Sequence, residues 1–443
     1  MSSSPRLHDS GTSSPQFCSD PPTPATELED IIEDPLPPAP DSDDEFVLVI
    51  GGLGFIGSHT SLELLKSGYN IIIVDNLSNS YRDVFDRVLL AAKLYCSGAG
   101  TQCPKAQLCC ADYRDTDALT TLLTKHTREA TGSAPRRSNI SGVIHFAAYK
   151  EVAESIRHPL KYYKNNVQGL IDLIALLDEH NIKQFIFSSS ASVYGTLSTA
   201  TTPGTGTGSG AGSVSSSARL REEDCVHEQE SYFNPETGSA LYAQQGCTGI
   251  TNPYGRTKFF AEAILADVCK SDPSWTVLAL RYFNPIGCDP SGLLGEDPRE
   301  AASNLFPAAV KVLMGQVPEL NIYGSDWDTP DGTAVRDFIH VSDLARGHGA
   351  ALAAARGGKV RGAFRTFNLG TGRGHSVGEV VRTLEEVTAR GIPTRVVGRR
   401  DGDVGFCVAI PDRAGGELGW RTERSLRDAC VDLWNFLSLE HQV

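Results

Sequence analysis

The chain has 443 residues, 40% of them hydrophobic, and a formal net charge of −14. This length and apolar content are sufficient for one large hydrophobic core or two ordinary ones. Residues 1–45 carry −10 of the net charge and all later residues together only −4, which excludes the strongly basic surface that nucleic-acid-binding proteins present.

The first segment, residues 1–45, contains eleven acidic residues, one arginine and nine prolines. It has too few apolar side chains to offset the entropy that ordering would remove. We therefore predict that residues 1–45 form a disordered, acidic, proline-rich tail.

Several sequence signals are missing. The N-terminus lacks the basic region and apolar core of a signal peptide, and no apolar run reaches the length of a membrane span. The eleven cysteines, including adjacent Cys109 and Cys110, fit neither a C-x-x-C zinc pattern nor a disulfide framework. We expect a cytoplasmic protein with reduced thiols, no metal site and no membrane partner.

The first predicted strand, Phe46–Ile50, runs directly into a glycine-rich turn and then a helix. Gly52, Gly54 and Gly57 fit the dinucleotide pattern G-x-G-x-x-G, and Gly51 with the last two fits the looser G-x-x-G-x-x-G. Residues without a Cβ let the chain turn tightly and bring its amides against a pyrophosphate at the helix N-terminus. The segment predicts a dinucleotide site.

The second predicted strand, Asn70–Val74, is followed by Asp75. An acid at this position can accept hydrogen bonds from the adenosine ribose hydroxyls and repels a 2′-phosphate. The cofactor predicted from this spacing is NAD rather than NADP. The alternative is an ordinary glycine turn with an incidental aspartate.

Short apolar runs alternate with amphipathic stretches as far as about Phe283. This is the βαβ pattern of a parallel sheet with helices on both faces. We predict further strands at Gly142–Phe146, Gln184–Ser188 and Val277–Tyr282, and helices at Ser58–Lys66, Asp115–Arg128, Lys161–Glu179 and Tyr254–Lys270.

Two segments interrupt the alternation. Residues 196–251 begin with a run of Ser, Thr, Gly and Ala and predict a long, flexible surface insertion. The sequence of Tyr95–Pro104 predicts a second, smaller surface insertion.

Beyond Pro285 the pattern changes to loops rich in proline and glycine around a few helices, predicted at Ala301–Met314, Val377–Thr388 and Leu426–Phe436. The predicted fold class is therefore α/β. A Rossmann-type doubly wound parallel sheet over residues 46–285 is followed by a smaller C-terminal α/β substrate-binding domain over residues 286–443.

The segment from Asn252 to Lys258 carries a candidate catalytic pair. Tyr254 and Lys258 share one face of a helix for which Asn252 and Pro253 suit the N-cap and first position. The positive end of the helix and a cation one turn away favour the phenolate, so we expect the pKa of Tyr254 to fall below its usual value of about 10. Tyr254 would then act as a general base.

Taken alone, this pair also fits an ordinary amphipathic surface helix. The strand that begins at Gln184 favours the catalytic interpretation, because it ends in Ser188, Ser189 and Ser190. Ligands of doubly wound sheets bind at that carboxyl edge.

The glycine turn, Ser190 and Tyr254-x-x-x-Lys258, in this order, resemble the extended short-chain dehydrogenases/reductases. Within that group the chain resembles the UDP-glucose (UDP-galactose) 4-epimerases. The resemblance covers nearly everything from Phe46 onward except the insertions. Its segments are Gly51–Thr60, Asp75–Ser80, Val143–Ala148, Tyr162–Val167, Phe185–Gly195, Arg281–Pro285, Gly295–Pro298, Val335–Val341, Asn368–Gly370 and Arg399–Asp403.

The resemblance implies reversible inversion at C4 of UDP-glucose and UDP-galactose through a 4-keto sugar, with enzyme-bound NAD. Tyr254 would take the proton of the 4-hydroxyl, Ser190 would hydrogen-bond that hydroxyl, and Lys258 would hold the nicotinamide ribose. A homodimer formed by the helices near Lys161–Glu179 and Tyr254–Lys270 is also implied.

The resemblance further implies two sets of binding residues. The cofactor set is Gly51, Gly54, Phe55, Ile56, Gly57, Asp75, Asn76, Asn79, Asp112, Phe146, Ala147, Lys150, Asn165 and Phe283. The UDP-sugar set is Asn284, Asn304, Leu305, Tyr323, Arg336, Arg400, Asp403 and Cys407. Arginine suits a pyrophosphate because its planar fork binds phosphate oxygens in pairs.

Cys407 bears on the substrate range. In the resembling epimerases this position faces the sugar ring, where a small residue accompanies acceptance of N-acetylhexosamines and a tyrosine accompanies restriction to glucose and galactose. A cysteine leaves room for an acetamido group, so we expect the N-acetylated UDP-sugars to be substrates as well. The alternative is that Cys407 is simply another buried thiol.

Two other functions remain open at the level of sequence. One is a related nucleotide-sugar enzyme, a 4,6-dehydratase or a uronate 4-epimerase. The segment Ser190–Ser192 offers no carboxylate for the acid-base pair that a dehydratase needs. The other is a non-catalytic NAD-binding sensor or scaffold, against which the intact Ser190, Tyr254 and Lys258 argue.

Overall fold

The computed structural model of the chain describes residues 44–128, 137–198, 219–233, 238–243, 245–247, 249–296, 304–360, 362–400 and 402–441. The predicted tail lies outside these residues except for Asp44 and Glu45. No helix in the described part of the chain has the length and hydrophobicity to cross a membrane.

The described residues contain eleven α-helices. They are α1 Phe55–Lys66, α2 Asp83–Ala99, α3 Thr116–Lys125, α4 Val152–Arg157, α5 Pro159–Tyr163, α6 Gly169–Glu179, α7 Pro253–Ser271, α8 Leu305–Leu313, α9 Val341–Arg356, α10 Val377–Thr388 and α11 Leu426–His441. Short 3₁₀ segments cover Ala191–Ser198 and Glu222–Asp224, and π-helical turns cover Lys164–Gln168 and Ala414–Leu418.

Seventeen strands connect with these helices. They are β1 Phe46–Ile50, β2 Asn70–Asp75, β3 Ala106–Cys110, β4 Thr127–Arg128, β5 Arg137–Ser138, β6 Ile140–His145, β7 Gln184–Ser190, β8 Ser231–Phe233, β9 Ala240–Tyr242, β10 Thr276–Tyr282, β11 Asn284–Ile286, β12 Leu320–Tyr323, β13 Val335–His340, β14 Phe364–Leu369, β15 Gly374–Ser376, β16 Thr394–Val397 and β17 Phe406–Cys407.

The main sheet has seven parallel strands in the order β14-β10-β7-β6-β1-β2-β3. Successive side chains of a strand point to opposite faces. Val47 and Val49 of β1 therefore pack in the core formed with α1, α2 and α9, whereas Phe46, Leu48 and Ile50 pack in the core formed with α3, α6 and α7. The predicted doubly wound fold is confirmed.

The strand order reverses between β1 and β6, which are neighbours although four strands separate them in sequence. The connections leave these two strands in opposite directions, so their carboxyl ends border a crevice in which ligands of such folds bind. Gly51 follows β1 and Phe146 follows β6 at this point.

A third core lies in the C-terminal part of the chain, where α8, α10 and α11 pack together. Next to them, β13 pairs with β11, β15 and β17, and β12 pairs with β16. The edge strand β14 and helix α9 nevertheless belong to the main sheet and its first core. The chain therefore returns to the main sheet after residue 285, and the division into two domains at that residue stays a prediction.

The sequence prediction fails in two loop regions. Tyr95–Ala99 is the last turn of α2 and not an insertion. The surface insertion expected over residues 196–251 does not hold for its middle part, because Leu220, Cys225 and Val226 are buried. Residues 199–218 of that insertion lie outside the described residues.

The buried middle part is attached to the sheet through Arg281 of β10. This side chain is fully buried and donates hydrogen bonds to the carbonyls of Glu222 and Cys225 at 3.2 and 2.8 Å. It also donates to both carboxylate oxygens of Glu262 on α7, at 3.0 and 2.6 Å. One guanidinium thus joins β10, α7 and residues 222–225, and a buried charge requires such a full set of partners.

Candidate active site

A cavity of about 1340 Å³ opens at the carboxyl edge of the main sheet and is lined both by the sheet and by segments beyond residue 285. Ser190, Tyr254 and Lys258 all line it. The three candidate catalytic residues, which the sequence places up to 68 positions apart, therefore share one cleft.

The glycine turn forms one wall of this cleft. Gly51 has a φ of 75°, and a Cβ built there would lie 2.7 Å from the backbone nitrogen of Ala147. A Cβ at Gly57 would overlap the carbonyl oxygen of Gly51, whereas one at Gly54 would meet nothing closer than 3.6 Å. Gly51 and Gly57 are needed for packing within the protein, and Gly54 leaves open the space above the N-terminus of α1.

Asp75 ends β2 and lines the cleft. Its Oδ2 accepts a hydrogen bond from Leu53 N, and its Oδ1 accepts from Leu77 N and Ser80 Oγ, each at 2.9 Å. A carboxylate offers about four acceptor positions, so one remains for a ribose hydroxyl. A fixed anion at this point fits NAD and repels the 2′-phosphate of NADP.

Asp112 does not line the cleft but lies directly behind it. Asn76, which does line it, donates from Nδ2 to Asp112 Oδ2 at 2.9 Å. Arg114 donates to both carboxylate oxygens, and these hydrogen bonds lower the pKa of Asp112 to about 2. Asp112 is therefore a fixed anion that orients Asn76.

The predicted helix over Lys161–Glu179 is interrupted by the π-helical turn Lys164–Gln168, which holds Asn165 and Asn166 in buried positions. Asn166 accepts from the backbone nitrogen of Tyr149 at 3.0 Å and donates to Thr257 Oγ1 at 3.1 Å. Single π turns inside helices are frequent at functional sites. This turn connects Asn165, a cleft residue, with the helix that carries Tyr254.

Tyr254 occupies the first turn of α7, as predicted. Asn252 caps the helix by accepting a hydrogen bond from Gly255 N at 2.8 Å, and Pro253 begins it. A Cβ at Gly255 would lie 2.8 Å from the carbonyl oxygen of Ser192. The absence of that Cβ lets the start of α7 touch the loop after β7, which places Tyr254 next to Ser190.

The electrostatics of Tyr254 contradict the expectation from sequence. Burial raises its pKa above the usual value, and only the hydrogen bond with Ser190 acts in the opposite direction. The Lys258 ammonium donates to the carbonyl of Ser188 and does not offset the effect of burial on Tyr254. The prediction that Lys258 and the helix end lower this pKa is therefore wrong for the protein chain alone.

Lys258 is itself affected by burial. Desolvation lowers its pKa to about 7, although the charge of Glu262 one turn further along α7 raises it. The amine lies 4.7 Å from the ring centroid of Phe187. Close to neutral pH the amine can therefore gain or lose a proton readily.

The opposite end of the cleft is rich in arginine. Asp403 lies between Arg400, with Nε and Oδ2 3.0 Å apart, and Arg336, with Nη2 and Oδ1 3.6 Å apart. The Arg400 guanidinium stands 4.4 Å from the ring centroid of Tyr323. Cys407 pairs with Arg336 across β17 and β13, and burial raises the pKa of its thiol to about 11, so the group is neutral.

The structure brings most of the predicted residues to one cleft. The cleft-lining predicted residues are Gly51, Gly54, Phe55, Ile56, Gly57, Asp75, Asn76, Asn79, Phe146, Ala147, Lys150, Asn165, Phe283, Asn284, Asn304, Tyr323, Arg336, Arg400, Asp403 and Cys407. Asp112 and Leu305 are the two predicted residues that do not line it.

The sequence did not identify several cleft residues as binding residues, including Tyr149, Thr251, Tyr282, Glu296 and Lys311, although Tyr282 and Glu296 lie within the matching segments Arg281–Pro285 and Gly295–Pro298. Glu296 and Lys150 approach each other to 3.6 Å across the cleft. Tyr282 ends a predicted strand and Tyr149 comes three residues after another, and these positions at the carboxyl edge of the sheet could have identified them. Nothing local distinguishes Lys311, which lies on α8.

Comparison with known proteins agrees with this geometry. The NAD dependent epimerase/dehydratase family matches residues 47–213 and 231–370. UDP-glucose 4-epimerase of Dictyostelium discoideum is 40% identical over 396 residues, which are 89% of this chain and 96% of that protein.

Two solved structures are similar over almost their whole length. UDP-glucose 4-epimerase from Bifidobacterium longum in complex with NAD+ and UDP has a TM-score of 0.69 and 37% identity, covering 89% of this chain and 98% of that one. The enzyme from Stenotrophomonas maltophila with NAD and formylated UDP-arabinopyranose has a TM-score of 0.71 and 35% identity, covering 90% and 99%.

The geometry of the glycine turn predicts a substitution that weakens NAD binding without lowering the stability of the protein. In Gly54→Ala the added Cβ meets no close protein atom, so the unfolding temperature of the ligand-free protein should be unchanged. Affinity for NAD should fall by roughly tenfold or more, about 1.4 kcal/mol, because the methyl group occupies the path of the pyrophosphate. Thermal unfolding and NAD titration by calorimetry measure the two quantities.

Gly51→Ala is the matched comparison, since its Cβ would overlap the Ala147 backbone at a positive φ. That variant should lower the unfolding temperature itself. Unchanged NAD affinity in Gly54→Ala would contradict the assignment of this turn to the cofactor.

Proposed function

The chain belongs to the NAD dependent epimerase/dehydratase family, and we propose that within it the protein is a 4-epimerase that interconverts UDP-glucose and UDP-galactose with bound NAD. The main support for this function is that Ser190, Tyr254 and Lys258 line one cleft, between the glycine turn at one end and a pair of arginines at the other. Activity with UDP-glucose and detection of UDP-galactose as product test it directly.

The two ends of the cleft suit the two ligands. Gly54 and Asp75 provide open backbone and a ribose acceptor at the NAD end. At the other end Arg336 and Arg400 can bind the pyrophosphate of a UDP-sugar, because guanidinium groups bind phosphate oxygens in pairs. Tyr323 offers an aromatic face for the uracil.

Bound NAD supplies an acceptor and donor of two electrons at sugar C4, and its oxidised ring supplies a positive charge. Tyr254 removes the proton of the 4-hydroxyl, and Ser190 hydrogen-bonds the same oxygen. The sugar then becomes a 4-keto sugar, which turns in the cleft and is reduced on its other face as Tyr254 returns the proton. Lys258 holds the nicotinamide ribose.

The burial of Tyr254 fits this cycle. The chain alone keeps the phenol protonated, since desolvation raises its pKa. The positive charge of the bound cofactor lowers that pKa again, so the base becomes active only when the cofactor is present. No feature favours a dehydratase, because Ala191 and Ser192 offer no carboxylate beside Ser190.

We further propose a homodimer. Helices α5, α6 and α7 expose large apolar side chains, namely Leu160, Ile171 and Phe260. Leu160 is 73% exposed, and the ring of Tyr163, at the end of α5, lies 6.1 Å from that of Phe260 on α7. Exposed apolar residues that cluster in this way are typical of protein–protein interfaces.

The first prediction for this function concerns the base. Tyr254→Phe should retain NAD but lose turnover by roughly 10² to 10⁴, the usual contribution of a general base. In wild type, ultraviolet absorbance should show the Tyr254 phenolate at lower pH with NAD than without it, a signal that Tyr254→Phe lacks. Near-normal turnover in the variant would remove Tyr254 from this role.

A second prediction concerns the substrate range. Wild type should interconvert UDP-N-acetylglucosamine and UDP-N-acetylgalactosamine, because Cys407 leaves space beside the sugar. Cys407→Tyr fills this space, and overpacking costs roughly 1 to 3 kcal/mol. The variant should therefore lose the N-acetyl reaction by about tenfold or more and keep the glucose/galactose reaction. Equal loss of both reactions would contradict this role.

A third prediction concerns the dimer. Wild type at micromolar concentration should scatter light with twice the mass of one chain. Leu160→Glu combined with Phe260→Glu should give single chains, because burying two carboxylates in an apolar interface is unfavourable. Leu94→Glu, at a leucine of α2 that is 59% exposed, is the matched control and should stay dimeric. Monomer mass for wild type would contradict the proposal.

A further inference from the structure

Two cysteines of the segment between β7 and α7 lie side by side. Cys225 is fully buried, and its thiol donates a hydrogen bond to the sulfur of Cys247. Val226 forms isolated bridges with Gln245 and Gly246, and the antiparallel one includes a hydrogen bond from Gly246 N to Val226 O at 2.8 Å. Cys225 precedes Val226 and Cys247 follows Gly246, so the two cysteines are the opposed pair of residues next to that antiparallel bridge.

This placement is suitable for a disulfide. Directly opposed residues of an antiparallel pair have Cα atoms about 4.5 to 5.5 Å apart, and disulfides span Cα distances of about 4.4 to 6.8 Å. The two thiols already lie within hydrogen-bonding reach of each other. Bond formation therefore needs only a small approach of the sulfurs.

The two thiols differ in reactivity. The hydrogen bond from Cys225 lowers the pKa of Cys247, and the charge of Arg281 acts in the same direction, although burial and the charges of Glu262 and Asp224 oppose it. The same hydrogen bond and burial raise the pKa of Cys225. Cys247 is partly exposed, whereas Cys225 is buried. Because the thiolate is the nucleophile, Cys247 is the entry point and Cys225 the resolving thiol.

Cys247 is also coupled to the catalytic loop. Its thiol donates to the carbonyl of Val193 at 2.7 Å, three residues after Ser190. Three residues further along the chain, Ile250 packs against the start of α7, because its side chain lies 3.0 Å from where a Cβ of Gly255 would be. Thr251 lines the cleft and donates to the carbonyl of Gly402 at 3.3 Å.

We propose that Cys225 and Cys247 form a redox-modification site, which low-molecular-weight disulfides such as oxidised glutathione convert to an intramolecular disulfide that slows turnover. The disulfide withdraws the Cys247 sulfur from Val193 O and shifts the cleft wall around Thr251. Misplacement of about 1 Å near reacting groups lowers rates severalfold to a hundredfold.

The reaction consumes one oxidised glutathione. The Cys247 thiolate attacks one of its sulfurs, the glutathione disulfide breaks, and one glutathione thiolate leaves with a mixed disulfide on Cys247. The Cys225 thiolate then attacks the Cys247 sulfur, and the second glutathione leaves. Both thiol protons end on the two glutathione molecules, so the protein loses two electrons and glutathione gains two.

The experiment treats the full-length protein, loaded with NAD, with oxidised glutathione and follows two independent measurements. Mass spectrometry of the non-reduced digest maps a disulfide between the peptides of Cys225 and Cys247. The activity assay rests on the proposed epimerase function, whereas the disulfide map does not. Wild type should form the 225–247 disulfide and lose turnover by about threefold or more, and dithiothreitol should restore both.

Cys247→Ser and Cys225→Ser should each retain turnover during the same treatment, and Cys247→Ser remains informative if the buried Cys225 variant fails to fold. The matched control is Cys103→Ser, because Cys103 and Cys96 also form a hydrogen-bonded thiol pair but Cys96 lies on α2 and not beside the loop that follows Ser190. That variant should still be inhibited. Absence of the 225–247 disulfide, its formation without a change in turnover, or equal inhibition of Cys247→Ser would overturn the proposal.

Discussion

The buried ion pair between Glu262 on α7 and Arg281 on β10 determines how the catalytic part of this protein is assembled. Neither side chain has any exposed surface. Burial by itself would raise the pKa of Glu262, but Arg281 and the hydrogen bond from His227 outweigh it and lower the pKa to about 2. A buried pair with one partner removed is strongly unfavourable, so each charge fixes the position of the other.

The remaining contacts of this pair connect the catalytic elements. Glu262 accepts from Ser189, the neighbour of Ser190, and from His227 at 2.8 Å. Glu262 also lies one turn beyond Lys258 on α7. The end of β7, the start of α7 and residues 222–227 are therefore held by one set of charges. This arrangement explains why a segment that resembles a surface insertion is anchored beside the elements that carry Ser190 and Lys258.

The same burial sets the chemistry of the cleft. Desolvation raises the pKa of Tyr254 and lowers that of Lys258 to about 7, so burial disfavours the charged form of each group in the protein chain alone. In the proposed cycle, the positive charge of bound NAD shifts this balance towards the phenolate. The proposed general base is thus coupled to cofactor binding, whereas within the chain the Ser190 hydrogen bond favours the phenolate.

The sequence by itself determined the strands β1, β2, β6, β7 and β10, because buried parallel strands are short apolar runs whose pattern is local. It also determined the turn at Gly51–Gly57 and the cap of α7 at Asn252. Tertiary structure alone decided that β14 and α9 join the main sheet, that Leu220, Glu222, Cys225 and Val226 are buried, and that the pKa of Tyr254 rises. These properties depend on partners that are distant in sequence, such as Glu262 for Arg281 and Ser192 for Gly255. A local hydrophobic pattern or a position in a helix does not encode which distant group will pack against a side chain and exclude water from it.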